Sequence, residues 1–275
     1  RFYELVEEHR YTKEWHIPEA ADFTSASGLK VLEIGCGLGT DGVQFAKAGA
    51  DYTGVDLTEA AVDLARTCFA KSGLKGTFQT ADAENLEFEN ESFDLVYSHG
   101  VLHHTPDTAR AVNEIWRVLR PGGRAIVMLY HRDSYNYRVN ISLFRRAGAR
   151  LLKSESGIRF VHRITGEPLD SLREHANLLR QGEENYLKPD EFLMQSARRV
   201  QSEETRLHLH DAHSRVMSIA MLQKQLAVTQ LKSVELRTYF LNKRWLPLLG
   251  NMLPRSAESR LASRWGWHLW IYATK

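Results

Sequence analysis

Residues Lys30–Thr40, K-V-L-E-I-G-C-G-L-G-T, constrain the chain more than any other stretch. A short apolar run around Glu33 ends in three glycines at alternate positions, Gly35, Gly37 and Gly39. Such a run reads as a buried parallel strand entering a tight turn. The pattern then predicts a helix from Thr40 to Ala48, stopped by Gly49. Glycine serves where the backbone turns left-handed or meets a ligand closely, and the helix start beyond offers unpaired N–H groups. Glu33 is the odd member. A carboxylate at the end of a buried strand costs on the order of several kcal/mol unless something donates to it. A ligand amine or hydroxyl would do so.

The strand–helix alternation continues downstream. Asp51–Asp56 is a second short strand, and its closing acid lies where a strand–helix–strand unit places a carboxylate able to take both hydroxyls of a ribose. Thr58 caps a helix that carries Glu59 in its first turn and runs to about Lys71. Thr77–Thr80 is a third strand, followed by Ala81-Asp82-Ala83. Ser92–Ser98 is a fourth, followed by His99, Gly100, Val101, Leu102, His103 and His104. Thr105-Pro106-Asp107 is expected to start the next helix with Pro106 at its first position, and Pro121-Gly122-Gly123 ends it. Arg124–Tyr130 is a fifth strand, with His131 just beyond. Five strands alternating with helices predict a doubly wound α/β sheet, which binds ligands outside the carboxyl ends of its strands. Glu33, Asp56, Asp82, Ser98, His99 and His131 all fall at those ends.

The flanks differ. Residues 1–27 read as a helix and an irregular arm whose Tyr3, Tyr11 and Trp15 either cover a ligand or staple the arm to the core. From about Ser134 to Gln230 the alternation stops. Ile141–Lys153 is basic and amphipathic, and Pro168–Arg180 and Asp190–Val200 are further helix candidates. Val234–Leu241 and Trp265–Ala273 then read as strands without a helical crossover, so they pair antiparallel at one edge. The expected organisation is an arm over 1–27, an α/β core over 28–133, a helical insertion acting as a substrate lid over 134–230, and two strands over 231–275 that complete a seven-stranded, mostly parallel sheet.

Composition bounds the partners. At 275 residues, 43% hydrophobic and 25% charged, the chain has the make-up of an ordinary soluble globular protein. No apolar run approaches the roughly 18 residues needed to span a bilayer, and R-F-Y-E-L-V-E-E-H-R is no signal peptide, so a cytoplasmic setting is expected. Cys36 and Cys68 offer neither a zinc spacing nor a disulfide framework, and no Asp/His cluster at the strand ends calls for a metal. Residues 132–275 hold 24 Lys and Arg against 14 Asp and Glu, whereas the rest holds 12 against 20. Mutual attraction of the two parts accounts for this asymmetry, as does an anionic substrate or a membrane surface beside the second part. The basic residues are scattered rather than interleaved with aromatics, so no nucleic-acid partner is expected. Trp265, Trp267 and Trp270 suit a core or an interface equally, which leaves oligomeric state unassigned.

The glycine turn excludes two nucleotide sites. The dinucleotide pattern G-x-G-x-x-G fails at its third glycine, and a phosphate loop would need a lysine that Leu38-Gly39-Thr40-Asp41 lacks. Glu33 would repel a pyrophosphate, so the expected ligand carries an amine or another cation. The motifs V-L-E-I-G-C-G-L-G-T, G-V-D-L, A-D-A-E-N-L, F-D-L-V-Y-S-H-G-V-L-H-H and V-L-R-P-G-G resemble, in order, those of class I S-adenosylmethionine-dependent methyltransferases. The nearest group is the one resembling ubiquinone/menaquinone-biosynthesis methyltransferases.

That resemblance implies a Rossmann-like fold, S-adenosylmethionine as donor and S-adenosylhomocysteine as product. It implies that Gly35, Cys36, Gly37, Gly39 and Thr40 form the turn around the methionine part, with Glu33 facing its ammonium. It implies ribose hydroxyls on Asp56, adenine on Leu57, Asp82 and the Ala83 N–H, and the sulfonium beside Ser98 and His99. A base matters only where the acceptor must lose a proton, and the candidates are His131, His103, His104, His99 and Tyr130. The resemblance favours a small-molecule acceptor, lipid-like or anionic. Methylation of RNA or protein, or binding without methyl transfer, are the alternatives.

Overall fold

The computed structural model describes residues 1–139, 146–180, 191–192, 214–215, 219–226, 232–241 and 254–275. The chain divides into two compact units, one of Arg1–Tyr130, Ser218–Phe240 and His268–Lys275, the other of His131–Met217 and Leu241–Trp267. No described helix is long and apolar enough to cross a membrane.

The first unit is built on a seven-stranded sheet. Its strands are β1 (Lys30–Ile34), β2 (Asp51–Asp56), β3 (Thr77–Thr80), β4 (Phe93–His99), β5 (Leu119–Tyr130), β6 (Lys232–Tyr239) and β7 (His268–Thr274). The order across the sheet is β3-β2-β1-β4-β5-β7-β6. The first five strands run parallel, and β7 lies antiparallel between β5 and β6. Helices α1 (Phe2–Lys13), α2 (Ile17–Ala21), α3 (Thr40–Lys47), α4 (Glu59–Lys71) and α5 (Thr108–Val118) precede or connect the parallel strands. Val31, Leu32, Leu95, Val96 and Leu129 are almost wholly buried, as expected of parallel strands covered on both faces. The winding reverses between β1 and β4, and the crevice at their carboxyl ends is where such sheets take ligands.

Local signals set most boundaries. The Thr58 hydroxyl accepts the Ala61 N–H at 3.3 Å and caps α4 as expected. The start of α5 differs from the sequence reading. Asp107 rather than Pro106 marks it, because its carboxylate accepts the Arg110 N–H at 3.1 Å and so satisfies a donor that proline merely lacks. Strand β5 begins at Leu119, ahead of the predicted Arg124, and carries the glycine pair inside it. The register jumps from Phe93 opposite Leu119 to Leu95 opposite Arg124, and Gly122 N–H donates to the Lys275 carbonyl at 3.2 Å. Strand β7 starts at His268 rather than Trp265, because Arg255–Trp265 is helical.

Apart from one short strand pair, the second unit is mainly helical where it is described. It contains α6 (Arg146–Leu151), α7 (Glu155–Thr165), α8 (Leu169–Arg180) and, near the chain end, the helix Arg255–Trp265. Leu152, Ile158, Leu172 and Ala176 form a small core of their own, with Val161 and Leu169 packed on it. Ser154 caps α7 by accepting the Gly157 N–H at 3.1 Å, and Gly166 ends it at φ +72°. Of the helix expected over Ile141–Lys153, residues 141–145 lie outside the described residues. Of the one expected over Asp190–Val200, only Glu191 and Phe192 are described, and they pair as a two-residue strand with Ser214–Arg215.

Candidate functional site

The turn after β1 is held open by its neighbours. The N–H groups of Gly35 and Cys36 both donate to the Val55 carbonyl, at 2.7 and 2.9 Å, which docks the turn on β2. Gly35 sits at φ +79°, and a Cβ there would run into Val101. Gly37 sits at φ +51°, and a Cβ there would meet nothing within 4 Å. The turn is therefore closed by protein at Gly35 and open at Gly37. Gly39, the N-cap of α3, presses on Ala65 of α4, and the Thr40 carbonyl accepts the Tyr11 hydroxyl at 3.3 Å. Cys36 is buried, and burial pushes its thiol pKa up, so no reactive thiolate stands in the turn.

Asp56 joins two elements at this edge. One carboxylate oxygen accepts the Gly37 N–H at 3.1 Å, and the other accepts the Thr58 N–H at 3.2 Å. The second of these also accepts the Thr58 hydroxyl at 3.3 Å, so the oxygen facing Gly37 is the one that keeps a further lone pair for a ligand. Leu57 beside it is 67% exposed, a bare apolar face at the rim of the site. Asp82 is exposed and accepts the Glu84 N–H at 2.9 Å, which shapes the loop that buries Ala83.

Two predicted residues are tied within the protein. Glu33 is buried, and the Tyr52 hydroxyl on β2 donates to it at 2.5 Å. Its pKa is driven well above the usual range by burial and then by Asp41. The donor that Glu33 requires is thus a protein hydroxyl. Ser98 is fully buried, and its hydroxyl donates to the Ile34 carbonyl at 3.0 Å as a tie between β4 and β1.

Sequence reasoning missed a charged hub beside the turn. Arg10 of α1 makes a two-pronged pair with Asp41 of α3, Nε to Oδ1 at 2.8 Å and Nη2 to Oδ2 at 2.6 Å. The hydroxyls of Tyr11 and Tyr97 donate to the same carboxylate at 2.8 and 2.9 Å. Burial pushes the Asp41 pKa up, but Arg10 and the hydroxyls outweigh it and hold the pKa below the usual value. Arg10 Nη2 also lies 3.2 Å from His99 Nδ1. A guanidinium only donates, so Nδ1 accepts, and the neutral His99 ring carries its proton on Nε2. Burial and then Arg10 push the His99 pKa well down, in keeping with a neutral ring.

Beyond β4 lies a cluster of rings. His99 packs against His268 and Trp270 at centroid distances of 5.5 and 5.3 Å, and His268 against Tyr130 at 6.4 Å. Tyr130 packs on His103 at 4.1 Å, and His103 on His104 at 4.3 Å. His16, just ahead of α2, stacks on Tyr239 and Phe240 at 5.4 and 5.6 Å. Tyr130 lies opposite His268, and His268 opposite Tyr239, so these rings occupy the carboxyl edge of the sheet. Among the described residues His16 Nδ1, His99 Nε2, both nitrogens of His103 and Trp270 Nε1 are buried with no hydrogen-bond partner. Each such atom costs about 1–3 kcal/mol, so a polar ligand that paired them would bind with that advantage. No group of three or more His, Cys, Asp or Glu among the described residues could hold a metal ion.

His131 belongs to the second unit, where its N–H donates to the Trp267 carbonyl at 2.8 Å and its Nδ1 lies 3.0 Å from the Gly266 carbonyl. It is buried there as a tie to the chain entering β7. The structure thus gathers His99, His103, His104 and Tyr130 with His16 and His268, two residues that sequence reasoning passed over.

Residues 32–127 match the family model described as a methyltransferase domain. A protein of Haemophilus influenzae without assigned function is 35% identical over 170 residues, which cover 54% of this chain and 68% of that one. Residues 32–127 form a methyltransferase domain. A ubiquinone biosynthesis O-methyltransferase of Aromatoleum aromaticum is 37% identical over 112 residues, 40% of this chain and 48% of that one. The chain spans about a third to a half of the curated relatives it first matches. A SAM-dependent methyltransferase of Methanosarcina mazei shares the fold, with a TM-score of 0.55 at 20% identity over 94% of this chain and 97% of that one. The donor of this methyltransferase family fits the residues present. The side-chain-free opening at Gly37, the spare lone pair on the Asp56 oxygen beside it and the bare Leu57 suit a backbone approach, a ribose hydroxyl and a flat base.

Proposed function

We propose that this methyltransferase carries a methyl group from S-adenosylmethionine to a small-molecule acceptor. The observation that carries the reading is the two-sided site at the sheet's reversal. An open glycine turn with Asp56 lies on one side, and a buried ring cluster with unpaired nitrogens lies on the other. In this reading Gly35, Cys36, Gly37, Gly39 and Thr40 form the cradle for the methionine part, and Glu33 braces it through Tyr52. Asp56 takes the ribose hydroxyls, Leu57 covers the adenine, and Asp82 with the Ala83 N–H reads its edge. His99 stands at the reacting end, with Ser98 fixing the strand beneath it. When bound, the donor supplies an electrophilic methyl group on a sulfur that leaves as a neutral thioether.

The protein's own contribution is alignment and dryness. The ring cluster excludes water and offers polar atoms of both kinds, so an acceptor with an apolar body and a few oxygen or nitrogen atoms suits it. The name of the relative in ubiquinone biosynthesis supports an acceptor of that kind. Residues 134–230 serve acceptor selection in the same proposal, since the alternation stops at Tyr130 and resumes at Lys232. Membrane-surface contact falls to α7, whose exposed Phe160 and Ile164 stand beside exposed Arg159 and Arg163. Sedimentation with anionic vesicles, lost in Phe160→Glu, tests that contact.

The main test uses methyl-labelled S-adenosylmethionine with the pure protein and a fractionated cell extract. Label in the small-molecule or organic fraction is expected, and mass then identifies the product. Label in RNA or protein overturns the acceptor class. Tight donor binding without any label overturns methyl transfer itself.

A further inference from the structure

A chain of side chains runs behind the ring cluster and ends on one unpaired atom. Glu14, 24% exposed, lies 3.8 Å from His268 Nε2 and 3.6 Å from Arg10 Nη1. Burial raises the Glu14 pKa, and Arg10 pulls it only part of the way back. At 3.8 Å the carboxyl is beyond hydrogen-bond distance of Nε2 but favours an N–H there, the His268 tautomer that leaves Nδ1 as a lone pair. His16 Nε2 lies 3.1 Å from that Nδ1 and donates to it in this tautomer. The remaining nitrogen of His16, Nδ1, is then a bare lone pair, buried and without a partner. Across His268 and Trp270, which both rings touch, His99 presents the opposite polarity, an unpaired N–H on Nε2. A hydroxyl has the one donor and the lone pairs that such a pair of nitrogens would take.

We propose that His16 is the base for an acceptor hydroxyl, and that His268 and Glu14 position it and carry the proton away. The inference rests on the methyl-transfer reading and narrows it to O-methylation. The hydroxyl proton passes to His16 Nδ1 while the pair of the O–H bond becomes the new O–CH3 bond and the pair of the C–S bond stays on sulfur. His16 Nε2–H then moves to His268 Nδ1, and His268 Nε2–H to the Glu14 carboxylate and on to solvent. His99 Nε2–H donates to the acceptor oxygen and orients it. His131, tied to Gly266 and Trp267, has no part in this relay.

The first experiment reads tautomers on the unliganded protein by long-range imidazole NMR after 15N-histidine labelling. The expected result is an unprotonated Nδ1 on His16 and protonated Nε2 on His16, His268 and His99. A proton on His16 Nδ1 overturns the relay. Glu14→Gln, near the surface, should disturb the His268 and His16 tautomers and lower turnover about tenfold at unchanged KM; an unchanged NMR pattern overturns its positioning role. His16→Ala should lower label transfer 100-fold or more, with donor affinity unchanged by calorimetry. Added imidazole should restore part of that turnover, which repair of a merely structural defect would not do. His16→Gln, closer in volume, should show the same loss without rescue. Wild-type turnover in either variant overturns the base assignment alone. No product from the wild-type protein overturns methyl transfer and the base role together.

Discussion

Asp41 shows how much one side chain can organise. It is 3% exposed and carries a charge, which stands only because Arg10, Tyr11 and Tyr97 all donate to it. Removing the cation would leave that charge uncompensated, so Arg10→Gln should destabilise the fold by about 3 kcal/mol. Urea denaturation reads this directly, and an unmoved midpoint would mean that Asp41 protonates at no cost. The same variant frees His99 Nδ1 from its donor, so the His99 tautomer should become mixed. Asp56 calls for a different measurement, because its value lies toward the ligand. Asp56→Ala should weaken binding of S-adenosylmethionine and S-adenosylhomocysteine by roughly 1.5–3 kcal/mol through lost charge-assisted hydrogen bonds. Unchanged calorimetric affinity would remove the ribose from this carboxylate. Asp56 was legible in the sequence, since it closes a strand at the expected distance from the glycines. Asp41 was not. An acid in the first turn of a helix has an ordinary explanation in the helix dipole, and Arg10 on an N-terminal helix reads as a solvated cation.

At the scale of elements, the glycine turn and the strands around it were readable because their causes are local. Apolar runs, caps and glycines act within a few residues, so β1 to β4 and the helices between them lie close to where the pattern put them. The failures at Pro106 and at the start of β5 were also local, decided by the Asp107 carboxylate and by the register jump beside Gly122. The two central glycines make a prediction about division of labour. Gly35→Ala would drive a methyl group into Val101 besides straining a positive φ, so it should cost folding stability. Gly37→Ala strains the backbone by about 1–2 kcal/mol but meets no protein atom. Its larger effect should fall on donor affinity, because its Cβ would project into the open side of the turn. Thermal melts and calorimetry on both variants check this. Equal losses of stability with equal affinities would mean that Gly37 faces no ligand. His16 and His268 escaped the reading for the converse reason. They meet across 252 positions of sequence, and no periodicity or motif announces a contact that only the closed sheet creates.

For the molecule as a whole, the ring cluster ties function to acid stability. Burial lowers the pKa of His16 to about 3 and of His104 to about 4, and pushes His99, His103 and His268 well below the ordinary value. His131 is lowered in the same direction, again by burial. In the unfolded chain each takes a proton near pH 6.5, about two units or more above the His16 and His104 values. Over that window the unfolded state binds more protons, so stability is fully present above about pH 6.5 and is lost as pH falls toward the folded values. Each depressed histidine contributes a slope of up to about 1.4 kcal/mol per pH unit. Glu33 and Glu14, both raised by burial, work the other way, since the folded state takes up their protons first. Six histidines set against two carboxyls should leave a net loss, so the urea midpoint should fall between pH 7 and pH 5. His103 isolates the cause, because both its nitrogens are buried and unpaired. His103→Met keeps an apolar volume there and removes one titrating ring. The variant should match or exceed the wild type in stability at pH 7 and show a shallower acid decline. An undiminished acid slope in that variant would mean that His103 finds a partner in solution, and that fewer of the cluster's nitrogens await a ligand.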